Sequence, residues 1–166
     1  MNPASNVLKN TVGKALGRVP SGVFILTAVS DGRVPSQAVM VSWVQQTSFQ
    51  PPAISVAIAR DRPIGHAIRL DQRFAISIIP QDDTSLMKKY ARGIPDGVDP
   101  FDHIATQKTP GGLTILSDAL GYLECRLLNT CDFGGDHELF IGEVTAGEIF
   151  RDGSAFTHQR GNGFHY

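Results

Sequence analysis

The stretch "VSWVQQTSFQPPAISVAIARDRPIG", residues 41–65, decides how the rest of the chain is read. It opens on an apolar strand-like run that passes into a polar segment of Gln, Thr and Ser, stopped by Pro51 and Pro52. Proline brings no N–H to a sheet ladder, so two in succession end whatever precedes them. Residues 53–59, "AISVAIA", then have strand composition, and Ile64, Ala67 and Ile68 follow at helical spacing behind Pro63, which suits a first turn. The order is strand, polar loop, strand, short helix.

Working outward, "GVFILTAVS" (22–30) reads as a buried strand, "SDGR" (30–33) as a tight turn and "SQAVMVSWV" (36–44) as the return strand of a hairpin. "RFAISIIP" (73–80) predicts another strand. "DDTSLMKKYARG" (82–93) predicts a helix capped by Asp83 or Thr84 and ended by Gly93. "YLECRLLNTCDF" (122–133) and "HELFIGEVTAGEIF" (137–150) complete a sheet. The 17 glycines and 10 prolines punctuate short β-rich runs, the pattern of a mainly β Greek-key barrel with a few short helices. Residues 92–116, rich in Gly, Pro and Asp, are expected to form an active-site or interface loop.

The chain has 166 residues, 42% of them hydrophobic, which is the size and apolar content of one domain, with a short flexible N-terminus over about residues 1–10. Its formal net charge of −1 gives no field that would gather nucleic acid or an anionic membrane. The apolar runs are too short for a membrane span and the N-terminus lacks a signal-peptide core, so a soluble, cytoplasmic protein is expected. Cys125 and Cys131 have neither CxxC spacing nor neighbouring ligands, which suggests neither a disulfide framework nor a zinc site. His66, His103, His137, His158 and His165 include no pair at metal-binding spacing, so no metal is expected. A Gly-x-Ser-x-Gly elbow, a P-loop and a strand-GxGxxG-helix unit are all missing.

Two features remain as candidate chemistry. The polar segment after Trp43 can aim backbone N–H groups and small side chains at a flat heterocycle, or it is an ordinary strand crossing. Arg60 and Arg62, at the approach to a helix N-terminus, suit a phosphate, or they are solvated surface cations.

Taken in order, "GRVPSGVFILTA" (17–28), residues 41–65, "RFAISII" (73–79), "ALGYLECRLLN" (119–129) and "GGDHELFIGEV" (134–144) resemble the flavin reductase-like family, the FMN-binding split barrels. The resemblance runs from about Ala15 to about His158. Within the family, "SWVQQTSF", "ARDRP", "LGYLEC" and the ending "THQRGNGFHY" are most similar to the reductase module of cyanobacterial flavodiiron proteins and to related stand-alone reductases. The chain reads as a free-standing version of that module or as an excised domain.

The resemblance implies a six-stranded antiparallel Greek-key split barrel that forms a homodimer, with FMN rather than FAD at the subunit interface and NADH or NADPH as co-substrate. It implies that Val41, Ser42, Trp43 and Val44 lie along the isoalloxazine, with Gln46 and Ser48 near the ribityl chain and phosphate. Ala59, Arg60 and Arg62 occupy the phosphate region, the two arginines standing where many members have Ser and Thr. Gly134 and Gly135 allow a tight turn, Asp136 orients the imidazole, and His137 positions the nicotinamide or the reduced flavin. The implied activity is NAD(P)H-dependent flavin reduction with onward delivery of electrons to an acceptor, such as a partner protein. The alternative is an FMN-binding electron-transfer module that does not oxidise nicotinamide.

Overall fold

The computed structural model describes residues 3–29, 36–95 and 97–164. The elements run α1 (Pro3–Gly17), β1 (Ser21–Gly22), β2 (Phe24–Ala28), β3 (Gln37–Val41), β4 (Val44–Phe49), β5 (Pro52–Ala59), α2 (Pro63–Asp71), β6 (Arg73–Ile78), α3 (Ser85–Tyr90), β7 (Thr106–Lys108), β8 (Thr114–Leu116), β9 (Gly121–Cys131), β10 (His137–Ile149) and β11 (Thr157–His158). Helix α1 covers most of the segment expected to be a short N-terminal tail. The expected turn at 30–33 lies outside the described residues, although β2 and β3 do pair antiparallel.

The main sheet is antiparallel in the order β3-β2-β6-β9-β10-β5-β4 and has seven strands, not the expected six. Part of the difference lies in β4. The polar segment expected to be a loop pairs with β5, from Val44 opposite Val56 to Phe49 opposite Pro52. Its side chains are mostly exposed, so it lacks the alternation that marks a half-buried strand, yet its backbone satisfies the outer edge of β5.

The two edge strands β3 and β4 are consecutive in sequence, separated only by Ser42 and Trp43. The Ala57 N–H donates to the Trp43 carbonyl at 3.0 Å across that corner. The sheet therefore rolls until its edges meet. Its interior holds Leu26, Ile54, Val56, Ile58, Phe74, Ile76 and Phe140, and α2 closes one end with Ile64, Ala67 and Ile68. Pro63 lies in the first turn of α2, as its fixed φ allows.

A second cluster covers the other side of β2, where Ile25 meets Ile79, Leu86, Tyr90 and Leu116. With both faces covered, β2 reads in sequence as an apolar run interrupted only by Thr27. Residues 92–116 belong to this outer layer. The β7–β8 hairpin is tied down by Thr27 Oγ1 donating to the Thr114 carbonyl (2.7 Å) and the Leu116 N–H donating to Ser77 Oγ (3.1 Å). The Tyr90 hydroxyl donates to the Pro100 carbonyl at 2.8 Å. Leu113, Ile115 and Leu116 are buried, so this segment packs as structure. No helix among the described residues is long and apolar enough to cross a membrane.

Gly142 of β10 lets Phe74 reach the strand. A Cβ there would lie 2.6 Å from Phe74 Cζ and 2.9 Å from Cys125 Cβ, both in fully buried side chains that have nowhere to move. Gly142→Ala should therefore lower stability by about 1–3 kcal/mol. Urea unfolding checks this, with the midpoint falling at an unchanged slope.

Candidate functional site

The corner at Trp43 gathers several of the sequence-derived residues. Val41 ends β3 opposite Phe24, Ser42 is buried, and Val44 begins β4. The Trp43 indole packs on the His137 imidazole with ring centroids 4.8 Å apart and planes tilted by 53°. His137 is the first residue of β10 and pairs with Ala59, the last residue of β5. Its Nδ1 lies 2.9 Å from Asp136 Oδ1, within hydrogen-bonding distance. That hydrogen bond also holds the Asp136 carboxyl below its usual range.

The turn before His137 is built by a side chain the sequence reading did not single out. Asp132 Oδ1 accepts from the Gly134 N–H at 2.7 Å, and Gly134 has φ of +81°, a conformation that favours glycine. Arg60 then fastens this turn to the end of β5. Its Nε donates to the Gly135 carbonyl at 2.7 Å, its backbone N–H donates to the Asp136 carbonyl at 3.0 Å, and its guanidinium pairs with Asp132. The Asp-x-Gly spacing at 132–134 is a local signal that could have exposed the turn. Nothing local in the sequence could have exposed its arginine.

Beyond Ala59 the chain turns into α2, bordering a cavity of about 290 Å³ lined by Ala59, Arg60, Arg62, Pro63, His66 and Arg69 among others. Arg62 stands at the N-cap position in extended conformation and makes no side-chain cap; Pro63 brings no N–H, and the Gly65 N–H donates to the Arg62 carbonyl at 3.2 Å. Arg69 is paired with Glu138. Three arginines against Asp61 and Glu138 give this cavity a cationic bias.

Gln46 and Ser48 do not join this group within the chain. They pair with Ile54 and Ala53, at the far end of β5 from Ala59, about 16–20 Å along the strand. Gln46 Nε2 donates to the Ser48 carbonyl at 3.3 Å, and Ser48 Oγ accepts from the Gln50 N–H at 3.2 Å, both on the exposed edge. Gln46 also borders a second, more apolar cavity of about 370 Å³ lined by Phe24, Ile76, Leu123 and Val144.

Burial, and secondarily the Glu124 charge, pushes the Cys125 thiol up to about 12, which removes it as a nucleophile. No group of three or more His, Cys, Asp or Glu residues that could hold a metal ion occurs among the described residues.

The flavin reductase like domain model matches residues 16–164. The chain belongs to the flavin reductase-like family. That membership makes it a flavoprotein oxidoreductase. Among curated relatives it is 36% identical over 161 residues to diflavin flavoprotein A 1 of Synechocystis sp., covering 96% of this chain but only 28% of that protein. It therefore spans little more than a quarter of that relative's length. Among solved structures it is similar to the NADH:FAD oxidoreductase of Streptomyces globisporus C-1027, with a TM-score of 0.81 at 22% identity over 97% of this chain and 93% of the other. It is also similar to a homolog of nitrilotriacetate monooxygenase component B from Mycobacterium thermoresistibile, with a TM-score of 0.81 at 21% identity over 95% and 86% of the two chains. At these identities the two structures establish a shared fold.

The Arg60 hydrogen bond, followed by that of the Gly134 amide, lowers the Asp132 pKa from its ordinary 3.8. A depressed folded pKa means that the stabilisation is complete above 3.8 and is lost as pH falls through the lower folded value. In an acid titration followed on the Gly134 amide resonance, the transition should have its midpoint below 3.8. Arg60→Gln should move that midpoint upward.

Proposed function

We propose that this chain is an NAD(P)H-dependent flavin reductase that binds FMN, with FAD as the alternative flavin, and passes electrons to an acceptor, a partner protein among the candidates. The observation that carries the reading is the continuity, through Ala59, of an aromatic wall with a cationic cavity. Trp43 and His137 form the wall, and the cavity opens at the N-terminus of α2. A flavin mononucleotide has the same two parts, a flat ring and a phosphate.

The residues fit the group. Arg62, at the N-terminal end of α2, would hold the phosphate, helped by the charge of Arg60 while that side chain braces the turn. Residues 41–44 would lie along the ring, with His137 at its edge. Gln46 and Ser48, remote within one chain, would serve the ribityl end if the flavin lay along β5 or across a homodimer interface. When bound, the flavin would supply the hydride-accepting chemistry. Hydride transfer needs no nucleophile from the chain's own residues. They align the two rings and exclude water. His137, oriented by Asp136 and backed by Trp43, positions the nicotinamide. Nicotinamide turnover and two unbridged cysteines suit a cytoplasmic setting.

Support also comes from the solved neighbours, one of which is named an NADH:FAD oxidoreductase and is known in complex with NAD and FAD fragments. A second reading, a flavin-binding electron-transfer module without nicotinamide oxidation, draws on the match to a 28% portion of diflavin flavoprotein A 1, a longer chain.

Anaerobic addition of NADH, then NADPH, to FMN-loaded protein separates the readings. Bleaching of the flavin absorbance supports the reductase and identifies its donor, whereas persistence of colour supports the transfer module. His137→Ala should keep FMN bound while slowing reduction about 10- to 100-fold, and unchanged stopped-flow rates would remove His137 from the reaction. Exchanging Arg60 and Arg62 together for alanine should weaken FMN binding at least about tenfold. Fluorescence titration with FMN checks that loss.

A further inference from the structure

The C-terminal segment carries a cation to the same corner. Beyond β11, which pairs with β1 through Ser21 opposite His158, residues 160–163 lie flush against α1. The Arg160 N–H donates to the Gly17 carbonyl at 2.9 Å and the Gly163 N–H to the Gly13 carbonyl at 2.6 Å. The approach requires glycines. A Cβ on Gly17 would collide with the Arg160 carbonyl, and one on Gly13 with the Asn162 side chain. Held on both sides, Arg160 places its guanidinium carbon 5.0 Å from the Trp43 ring centroid. Arg160, Trp43 and His137 thus form a continuous chain of ring contacts.

We propose that Arg160 makes the site discriminate between the two charge states of its flavin, holding the anionic, two-electron-reduced ring more tightly than the neutral oxidised ring. The inference rests on the flavin reading above and adds to it a residue and a direction of preference. A cation fixed by its own backbone does not need to be recruited when negative charge arrives at the ring. In the dielectric typical of a protein surface, a unit charge about 10 Å from another alters relative affinity about tenfold. The cation–π contact with the indole helps to hold the guanidinium in place.

The test measures the affinities of oxidised FMN and of chemically reduced FMN for the apoprotein under anaerobic conditions. The proteins compared are wild type, Arg160→Met, Arg160→Lys and Gly17→Ala. Trp43 is the only tryptophan in the chain, so its fluorescence reports directly on loss of the stacked guanidinium and on retention of the fold. Wild type should prefer reduced FMN. Arg160→Met should cut the ratio of reduced to oxidised affinity about tenfold, equivalent to lowering the two-electron potential of the bound flavin by about 30 mV. Arg160→Lys should restore much of the ratio. Gly17→Ala, which keeps the arginine but displaces its anchor, should shift the ratio in the same direction as Arg160→Met. An unchanged ratio in Arg160→Met, or equal weakening of both redox forms, would overturn the proposal and leave Arg160 a structural brace. Failure of wild type to bind either form of FMN would overturn the flavin reading itself, and this inference with it.

Discussion

Two residues, Ser42 and Trp43, join the opposite edges of a seven-stranded sheet, and most of the architecture depends on that short link. In a flat sheet the outermost of seven strands would stand about 29 Å apart. From Val41 to Val44 the backbone reaches at most about 11 Å. The sheet has to roll until β3 meets β4, and α2 then has an end to close. Because Trp43 uses its carbonyl to receive the Ala57 N–H, its backbone is fixed at the seam while its indole stands clear of the ladder. A ring held in this way can serve a ligand without being released from the fold.

The electrostatics of the site divide according to the same geometry. Arg60 and Asp132 are both substantially exposed, with side chains 38% and 58% accessible, so solvent screens their attraction. What the pair contributes is position. Arg60 reaches from the end of β5 to Asp132 and the Gly135 carbonyl, and in doing so sets the angle at which His137 enters β10. Arg62, two residues further on at the start of α2, makes no side-chain cap. Two arginines that look equivalent in sequence therefore have different tasks, one bracing the protein and the other facing the cavity.

The legible part of the fold was the part in which burial imposes a pattern. Residues 53–59 and 73–78 carry apolar side chains because they wall the barrel, and α2 announces itself through Pro63 and the spacing of Ile64, Ala67 and Ile68. Strand β4 escaped because it is exposed along most of its length, so nothing selects hydrophobic residues there and its strand character comes from the unfilled edge of β5. Residues 92–116 hold structure that their composition hides. Their glycines and prolines suggested a functional loop, while a few apolar residues, Leu113, Ile115 and Leu116, carry the packing. At the site, the seam residues and the Gly-Asp-His turn were found by family resemblance. Arg60's hold on Asp132, across 72 residues of sequence, is a tertiary fact that no local pattern encodes.

The two ends of the described chain bear on the seam as well. Gly13 and Gly17 sit one helical turn apart on α1, where the missing Cβ of Gly17 makes room for the backbone of Arg160 and that of Gly13 for the Asn162 side chain. A helix interior disfavours glycine by roughly 1 kcal/mol relative to alanine, so Gly13 costs α1 intrinsic stability, whereas Gly17 ends the helix. What offsets the cost is the pair of backbone hydrogen bonds and the contact they enforce, since without them Arg160 would be a long side chain on an irregular segment with no fixed relation to Trp43. The glycines of α1 thus act at a distance: they set the depth of the strap, the strap sets the guanidinium, and the guanidinium sets the outer face of the indole that backs His137.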